Sequence, residues 1–337
     1  MNAIPNEGKN PSDPDTYILG SLLAKEEKSF LSGNQLAQEL NISRVGVWNR
    51  LEKLREAGFD FEAVRNRGYR LIGEPRANHA SLLNAYLLKI GSSVPVEFSE
   101  HLDSTNSEAE RQLANGRPTP FAVVANQQSR GRGRMGRKWE SDSHRNIYLS
   151  VAFRPNLSLD RMRLFSLWVG VRICKFLHER GLDSKLKWPN DILVNGRKLA
   201  GMLTEARVDT DIMRDLIFGI GLNVNSGSQD VPRELRTTAT SIAQEIGEVE
   251  SINLLTAELI ELITVAYRES RGNSIAEELQ ELWPRYDGLA GLHVDGRSGN
   301  LQVSGIASGI TADGALIVES ESGERHLLLS GDATLRK

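Results

Sequence analysis

Polar, Pro-rich residues 1–15 carry no repeating apolar positions, whereas Tyr17, Ile18, Leu19, Leu22 and Leu23 recur at helical spacing, so the pattern predicts a disordered tail followed by a folded unit. Ser32 is a candidate N-cap for a short helix from Gly33 to Leu40. Asn41 and Ile42 make a turn, Ser43 caps a third helix reaching Ala57, and Gly58 stops it. Two short helices joined by a tight turn are the grammar of a helix-turn-helix, whose second helix enters the DNA major groove. At roughly 100° per residue, Val47, Leu51 and Leu54 share one face, while Val45, Trp48, Asn49 and Glu52 point the other way. From Phe61 to Leu71, apolar residues alternate with Arg65, Arg67 and Arg70 around Asn66 and Gly68, the pattern of a hairpin wing gripping phosphate. Ser43, Arg44, Val45, Trp48, Asn49, Arg65 and Arg67 are therefore the candidate DNA contacts.

The pattern changes after Gly73–Asn78, whose Gly, Pro and polar residues read as a linker. From His79 to about Trp283, amphipathic helices at Arg161–Glu179 and Leu254–Arg268 mix with apolar strands at Phe121–Ala125, Ile147–Phe153, Ile192–Val194 and Leu216–Val224. Leu292–Leu335 consists of short runs broken by turn signals and fits a small β barrel. The expected fold is α+β with three domains: a winged helix-turn-helix over residues 16–73, a catalytic α/β domain over 79–283 and a barrel over 284–337.

Composition narrows the functional classes. A length of 337 residues with 39% hydrophobic and 25% charged residues is ordinary for a globular chain. A net charge of −3 gives no global attraction to nucleic acid, so DNA contacts must come from a local basic surface. The single cysteine, Cys174, lies in an apolar run and excludes an intramolecular disulfide framework. Six dispersed histidines lack the spacing of zinc motifs, so no metal site is expected. The N-terminus has no signal-peptide core, and no stretch approaches the roughly 18 apolar residues of a membrane span. The expectation is a cytoplasmic protein without a membrane partner.

Candidate chemistry concentrates in RGRGRMGRKW, Arg130 to Trp139. Gly131, Gly133 and Gly136 satisfy GxGxxG, but the chain continues into KWESDSHRN, with no apolar helix to receive a pyrophosphate, so a Rossmann loop is rejected. Arg130, Arg132, Arg134, Arg137 and Lys138 instead place cations between glycines, which suits holding two anions while one attacks the other. Downstream, KWPND (Lys187–Asp191) leads into a strand, and Gly196 opens a hairpin turn to Arg197, Lys198 and the small pair Ala200 and Gly201.

In that order and spacing, DSTN at Asp103–Asn106, GRGRMGRKW, KWPND, RKLAG at Arg197–Gly201 and GLNVN at Gly221–Asn225 make the chain resemble the biotin protein ligases. The N-terminal helix-turn-helix makes it similar to the bifunctional subclass, both ligase and biotin-operon repressor. Ile310–Asp313 and GDATLR at Gly331–Arg336 resemble the family's C-terminal barrel, with Asp332 and Ala333 departing from the usual Glu and branched apolar residue. The resemblance implies a class II synthetase-like catalytic domain, an SH3-like barrel, ATP and biotin as substrates, and Mg²⁺. It implies biotin contacts at Ser104, Thr105, Asn106, Gln128, Arg132, Gly133, Arg134, Lys198 and Gly201. The implied nucleotide contacts are Arg132, Arg134, Trp139, Asn190, Asn223 and Arg336. Arg132, Lys198, Lys187 and Asp191 are the implied catalytic group. The expected partners are a biotin carboxyl carrier protein, operator DNA and a second copy of the chain. Two rival readings are a lipoate-type ligase and a biotin sensor without catalysis.

Overall fold

Helix formation begins at Asp13, whose carboxylate accepts from the Asp15 and Thr16 amides ahead of Pro14, so α1 (Pro14–Leu23) starts inside the expected tail. The computed structural model describes residues 13–25, 29–272, 274–299 and 301–336. Residues 1–12 of the expected tail lie outside the described residues. Helix α2 (Gly33–Glu39) is capped by Ser32, and α3 (Arg44–Glu56) by Ser43, whose Oγ accepts from the Gly46 amide at 3.0 Å. Val47, Leu51 and Leu54 of α3 are buried, as the helical rotation requires. A hairpin comes next, β1 (Asp60–Val64) against β2 (Gly68–Gly73), turned by Asn66 at a φ of 64° and Gly68 at 114°.

The expected linker is part of the first compact unit, which continues to Ser93 and includes Ser251–Glu258. The Asn253 side chain accepts from the His79 amide at 2.8 Å and donates to the Ala77 carbonyl at 3.0 Å. Glu74 accepts from the hydroxyls of Tyr86 and Ser251. Helix α4 (Ala80–Lys89) buries Leu82, Leu83 and Ala85 and packs on α1. These bonds tie Glu74 and Ala77 of GEPRAN to helices of the same unit, so the segment is built into it.

The second unit comprises Val94–Glu250 and the chain from Leu259 onward. Its elements begin with β3 (Val96–Leu102), α5 (Thr105–Ala114), β4 (Phe121–Gln128), β5 (Ile147–Phe153), β6 (Leu157–Ser158), α6 (Leu159–Met162) and α7 (Phe165–His178). Then come β7 (Ser184–Lys187), β8 (Asp191–Val194), β9 (Arg197–Asp209), β10 (Ile212–Leu222), α8 (Ile242–Ile246), α9 (Ile252–Ser270), shared with the first unit, and α10 (Ile275–Tyr286). Among the described residues, eight strands form one sheet in the order β3-β4-β5-β10-β9-β8-β7, with β6 pairing β10. Only β3 and β4 run parallel. Every residue of β5 is buried, which accounts for a run that is apolar except at Ser150. Helix α5 packs on β4, β5 and β10 through Ala109, Leu113, Phe121, Val123, Ala152 and Ile217.

Two expectations shift. The helix expected over Arg161–Glu179 is two helices, α6 and α7, separated at Arg163 and Leu164. The strand expected at Leu216–Val224 is β10, one arm of a long hairpin with β9 that the sequence pattern did not reveal. The chain ends in β11 (His293–Ser298), β12 (Leu301–Ile310), β13 (Leu316–Glu319), β14 (Arg325–Leu328) and β15 (Asp332–Leu335). They form an antiparallel sheet in the order β14-β13-β12-β11-β15. Trp188 of KWPND donates to the Gly314 carbonyl at 3.1 Å, which ties the β12–β13 turn of this sheet to that segment. Among the described residues, no helix is long and apolar enough to cross a membrane.

Candidate active site

The arginine loop connects β4 to β5 and closes on itself: Trp139 N donates to Gly131 O at 2.9 Å and Gly133 N to Arg137 O at 2.7 Å. A Cβ on Gly131 would stand 2.4 Å from Trp139 O, so only glycine permits that closure. One short turn at Arg134–Gly136 is the nearest helical structure, which agrees with rejecting a Rossmann loop.

The loop lines a cavity of about 110 Å³ that Ser104, Thr105 and Asn106 of DSTN also line. Gln128 Oε1 accepts from the Thr105 amide at 2.8 Å, satisfying a free N–H of the first turn of α5, and Gln128 Nε2 donates to Ser141 Oγ at 2.9 Å. Ser150 Oγ, from the middle of β5, lies at hydrogen-bond distance, 2.8 Å, from Thr105 Oγ1. Ser104, Thr105 and Gln128 therefore present a small, pre-set group of hydroxyl and amide atoms. Asp103, just ahead of them, accepts two bonds from Arg111 at 2.8 and 2.9 Å, and Arg111 holds its carboxyl at about 2, below the usual range.

Cations line the cavity as well. Lys198 Nζ lies 2.7 Å from Asp191 Oδ1 and 5.3 Å from the centre of the Trp139 ring. Arg132 pairs with Glu205, and Arg137 with Asp332 of β15. Arg134 donates to Asn190 Oδ1 at 3.3 Å, and among the described residues it has no carboxylate partner at ion-pair distance. Burial pulls the Arg134 guanidinium below its ordinary value, and neighbouring Arg137 adds to the effect. The Trp139 indole lies against Gly201 and Gly221 with its buried Nε1 unpartnered among the described residues.

Of the residues singled out in the sequence, Ser104, Thr105, Asn106, Gln128, Arg132 and Gly133 line this cavity. Arg134, Trp139, Asn190, Asp191, Lys198 and Gly201 complete the set. Lys187, Asn223 and Arg336 are outside it: Asn223 donates to Thr240 O at 2.9 Å, and Arg336 is exposed. Asn106 has its amide committed to Ser150 and Glu205 within the wall. Sequence reasoning missed Glu205, Asp332, Ser141 and Ser150. A serine inside the run IYLSVAF was the one available signal, since an isolated hydroxyl in a buried strand needs a partner. Among the described residues, no group of three or more His, Cys, Asp or Glu side chains is arranged to hold a metal ion.

In the first unit, Val45 is 65% and Trp48 51% exposed on α3, beside exposed Arg44 and Asn49. Ser43 caps the helix. In the hairpin, Arg65 is exposed and Arg67 lies 4.3 Å above the Phe30 ring.

The chain matches the biotin/lipoate A/B protein ligase family over residues 98–223, an HTH domain over residues 21–70 and the biotin protein ligase C-terminal domain over residues 291–336. It is 33% identical over 303 residues to the bifunctional ligase/repressor BirA of Bacillus subtilis (strain 168), covering 90% of this chain and 93% of that protein. It is 32% identical over 308 residues to the Escherichia coli (strain K12) protein of the same name, covering 89% and 91%. Among solved structures, the biotin protein ligase from Aquifex aeolicus in complex with biotin and ATP aligns with a TM-score of 0.59 at 27% identity, over 72% of this chain and 99% of that one. The motifs, the cavity beneath the arginine loop and these relatives agree: the chain belongs to the biotin protein ligase family, in its bifunctional ligase/repressor branch.

Proposed function

We propose that the cavity joins biotin to ATP, forming biotinyl-5′-AMP and pyrophosphate, and then passes biotin to a lysine of a biotin carboxyl carrier protein. The observation that carries this reading is one cavity lined both by buried hydroxyl and amide groups and by Arg132, Arg134 and Lys198. Ser104, Thr105 and Gln128 suit the polar head of biotin; Arg132, Gly133, Arg134 and Lys198 suit its carboxylate and the α-phosphate. The Trp139 face and Asn190 suit the nucleotide, with Asn223 and Arg336 reaching it only if their loops move.

In the first step a biotin carboxylate oxygen attacks the α-phosphorus and the bond to pyrophosphate breaks. Both reactants are anionic, so their repulsion is a large part of the barrier, and Arg132 and Lys198 offset it. Mg²⁺ enters with ATP as part of the substrate; the sparse carboxylates of the cavity fit an ion held mainly by phosphates. In the second step the acceptor amine attacks the acyl carbon and AMP leaves, with Asp191 placed to receive the approaching ammonium once Lys198 turns to the substrate.

For the first unit the reading is a winged helix-turn-helix, with α3 in the major groove and Arg65 and Arg67 of the hairpin on phosphate. Operator recognition by one such unit is weak, so a homodimer is the repressing species. The final sheet is read as an SH3-like barrel, and the protein as cytoplasmic. ATP–pyrophosphate exchange with biotin and with lipoate, followed by transfer of label to a purified carboxyl-carrier domain, tests the enzyme reading. Exchange driven only by lipoate, or no transfer, overturns it. Equal operator affinity with and without biotin and ATP would remove the coupling to repression.

A further inference from the structure

Glu205 of β9 belongs to no motif and does not line the cavity, yet it bonds to two residues that do, Asn106 and Arg132. Its Oε2 accepts from Asn106 Nδ2 at 2.7 Å, and its Oε1 pairs with the Arg132 guanidinium. Asn106 is itself fixed: Ser150 Oγ donates to its Oδ1 at 2.5 Å, and Nδ2 also reaches Leu203 O at 3.5 Å. Its carboxamide fills the space beside Gly219, where a Cβ would stand 2.1 Å from Oδ1. On the other side, Arg132 also donates to Ser107 Oγ at 3.1 Å.

Asn106 and Ser107 lie in the first turn of α5. The backbone N–H groups of such a turn carry partial positive charge, so a guanidinium is disfavoured there unless an anion accompanies it. Glu205 supplies that anion from a strand that neither the loop nor the helix controls. Its side chain is 30% and that of Arg132 41% exposed, so the pair contributes little to global stability; its effect is on where the loop rests.

We propose that Glu205 is a positioning residue for the ligase reaction, latching Arg132 onto the first turn of α5 and coupling the hydroxyl-and-amide end of the cavity to closure of the arginine loop. The role in adenylate retention rests on the biotin–ATP reading of the cavity; the latch itself does not. A ligand seated against Ser104 and Thr105 steadies the turn that carries Asn106, and Glu205 transmits that to Arg132.

Glu205→Gln keeps an acceptor for Asn106 and removes the charge that faces Arg132. In the full-length, ligand-free protein, tryptic cleavage after Arg132 is expected to become about threefold faster, the factor matching a partly exposed ion pair. The half-life of bound biotinyl adenylate should fall by a similar factor, with KM for biotin rising and KM for ATP unchanged. Arg132→Ala should shorten the half-life equally, and the double variant no further. Glu205→Asp, one methylene too short for both partners, is the second variant and should show the same faster cleavage. Cleavage and half-life equal to wild type, or losses that multiply in the double variant, overturn the latch. A wild-type protein without biotin-dependent exchange overturns the biotin–ATP reading instead, and the digestion rates then decide the latch by themselves.

Discussion

Lys198 Nζ and Asp191 Oδ1 lie 2.7 Å apart across neighbouring strands β8 and β9, so the lysine aimed into the cavity is neutralised by the chain itself until an anion replaces the carboxylate. Arg137 with Asp332 repeats the arrangement. The cavity thus holds its cations on exchangeable partners, which limits the cost of gathering like charges without substrate. Lys198→Met should lower biotin-dependent pyrophosphate exchange by about 10²–10³-fold, the scale of losing one charge-stabilising group. Asp191→Asn should leave exchange within about tenfold of wild type and impair transfer to the carrier domain more strongly. Equal losses in both steps would detach Asp191 from the acceptor amine.

Arg134 differs from its neighbours in bonding to a neutral amide, Asn190, with no carboxylate to displace. An incoming anion meets it without competition. Arg134→Gly and Arg132→Gly should both still form the adenylate but release it, labelling nearby lysines indiscriminately, with the larger release from Arg134→Gly. Rapid-quench measurement of free against bound adenylate checks this; retention at the wild-type level in both variants would contradict it.

Gly221 is confined by the Trp139 indole, whose Cε2 would stand 2.2 Å from an added Cβ. Gly221→Ala should displace the ring, cost about 1–3 kcal/mol as overpacking, and raise KM for ATP more than KM for biotin. Thermal unfolding and exchange kinetics on the same sample separate these effects. An unchanged KM for ATP would remove Trp139 from the nucleotide end.

Much of this site was legible because its parts lie in contiguous motifs: DSTN opens a helix, the arginines lie between glycines, and KWPND precedes a strand. Asp332, which lines the cavity, and Glu205 and Ser150, which bond to residues that line it, were not legible, because strand pairing and chain reversal bring them there and no local pattern encodes that. The same limit explains β9, whose outer part, Ala206–Asp209, is exposed, so its alternation of apolar and polar residues marks no core face. The break at Arg163 and Leu164 was hidden because apolar residues continue through it. Trp48, by contrast, was placed outside the core by helical rotation, a purely local property.

Lys187 opens KWPND, and burial pushes its ammonium below the ordinary value; Asp191 opposes this, while Lys198 and Arg137 add to it. A lysine whose folded value is depressed binds fewer protons than in the unfolded chain between that value and 10.5, so stability rises with pH across that window. Lys187→Met should therefore raise Tm at pH 7 by about 2–4 °C while lowering exchange activity, and the gain should shrink as pH approaches 10.5. A Tm difference independent of pH would assign the effect to packing and not to the charge.

Trp48 and Leu51 lie three residues apart on α3, Trp48 at the edge of the buried stripe and 51% exposed, Leu51 within it and fully buried. Trp48→Ala should leave stability within about 0.5 kcal/mol yet weaken operator binding by about 1–3 kcal/mol. Leu51→Ala should cost about 2–5 kcal/mol of folding stability through the cavity it leaves. Arg67→Ala, on the hairpin, should weaken binding to all sequences alike and reduce the slope of log K against log salt by about 0.9, as one lost phosphate contact does. Fluorescence anisotropy with operator and scrambled duplexes over a salt series, with thermal unfolding for Leu51→Ala, measures all three terms. A Trp48→Ala protein that binds operator as wild type does would move recognition off this face of α3 and leave the hairpin arginines as the main contact.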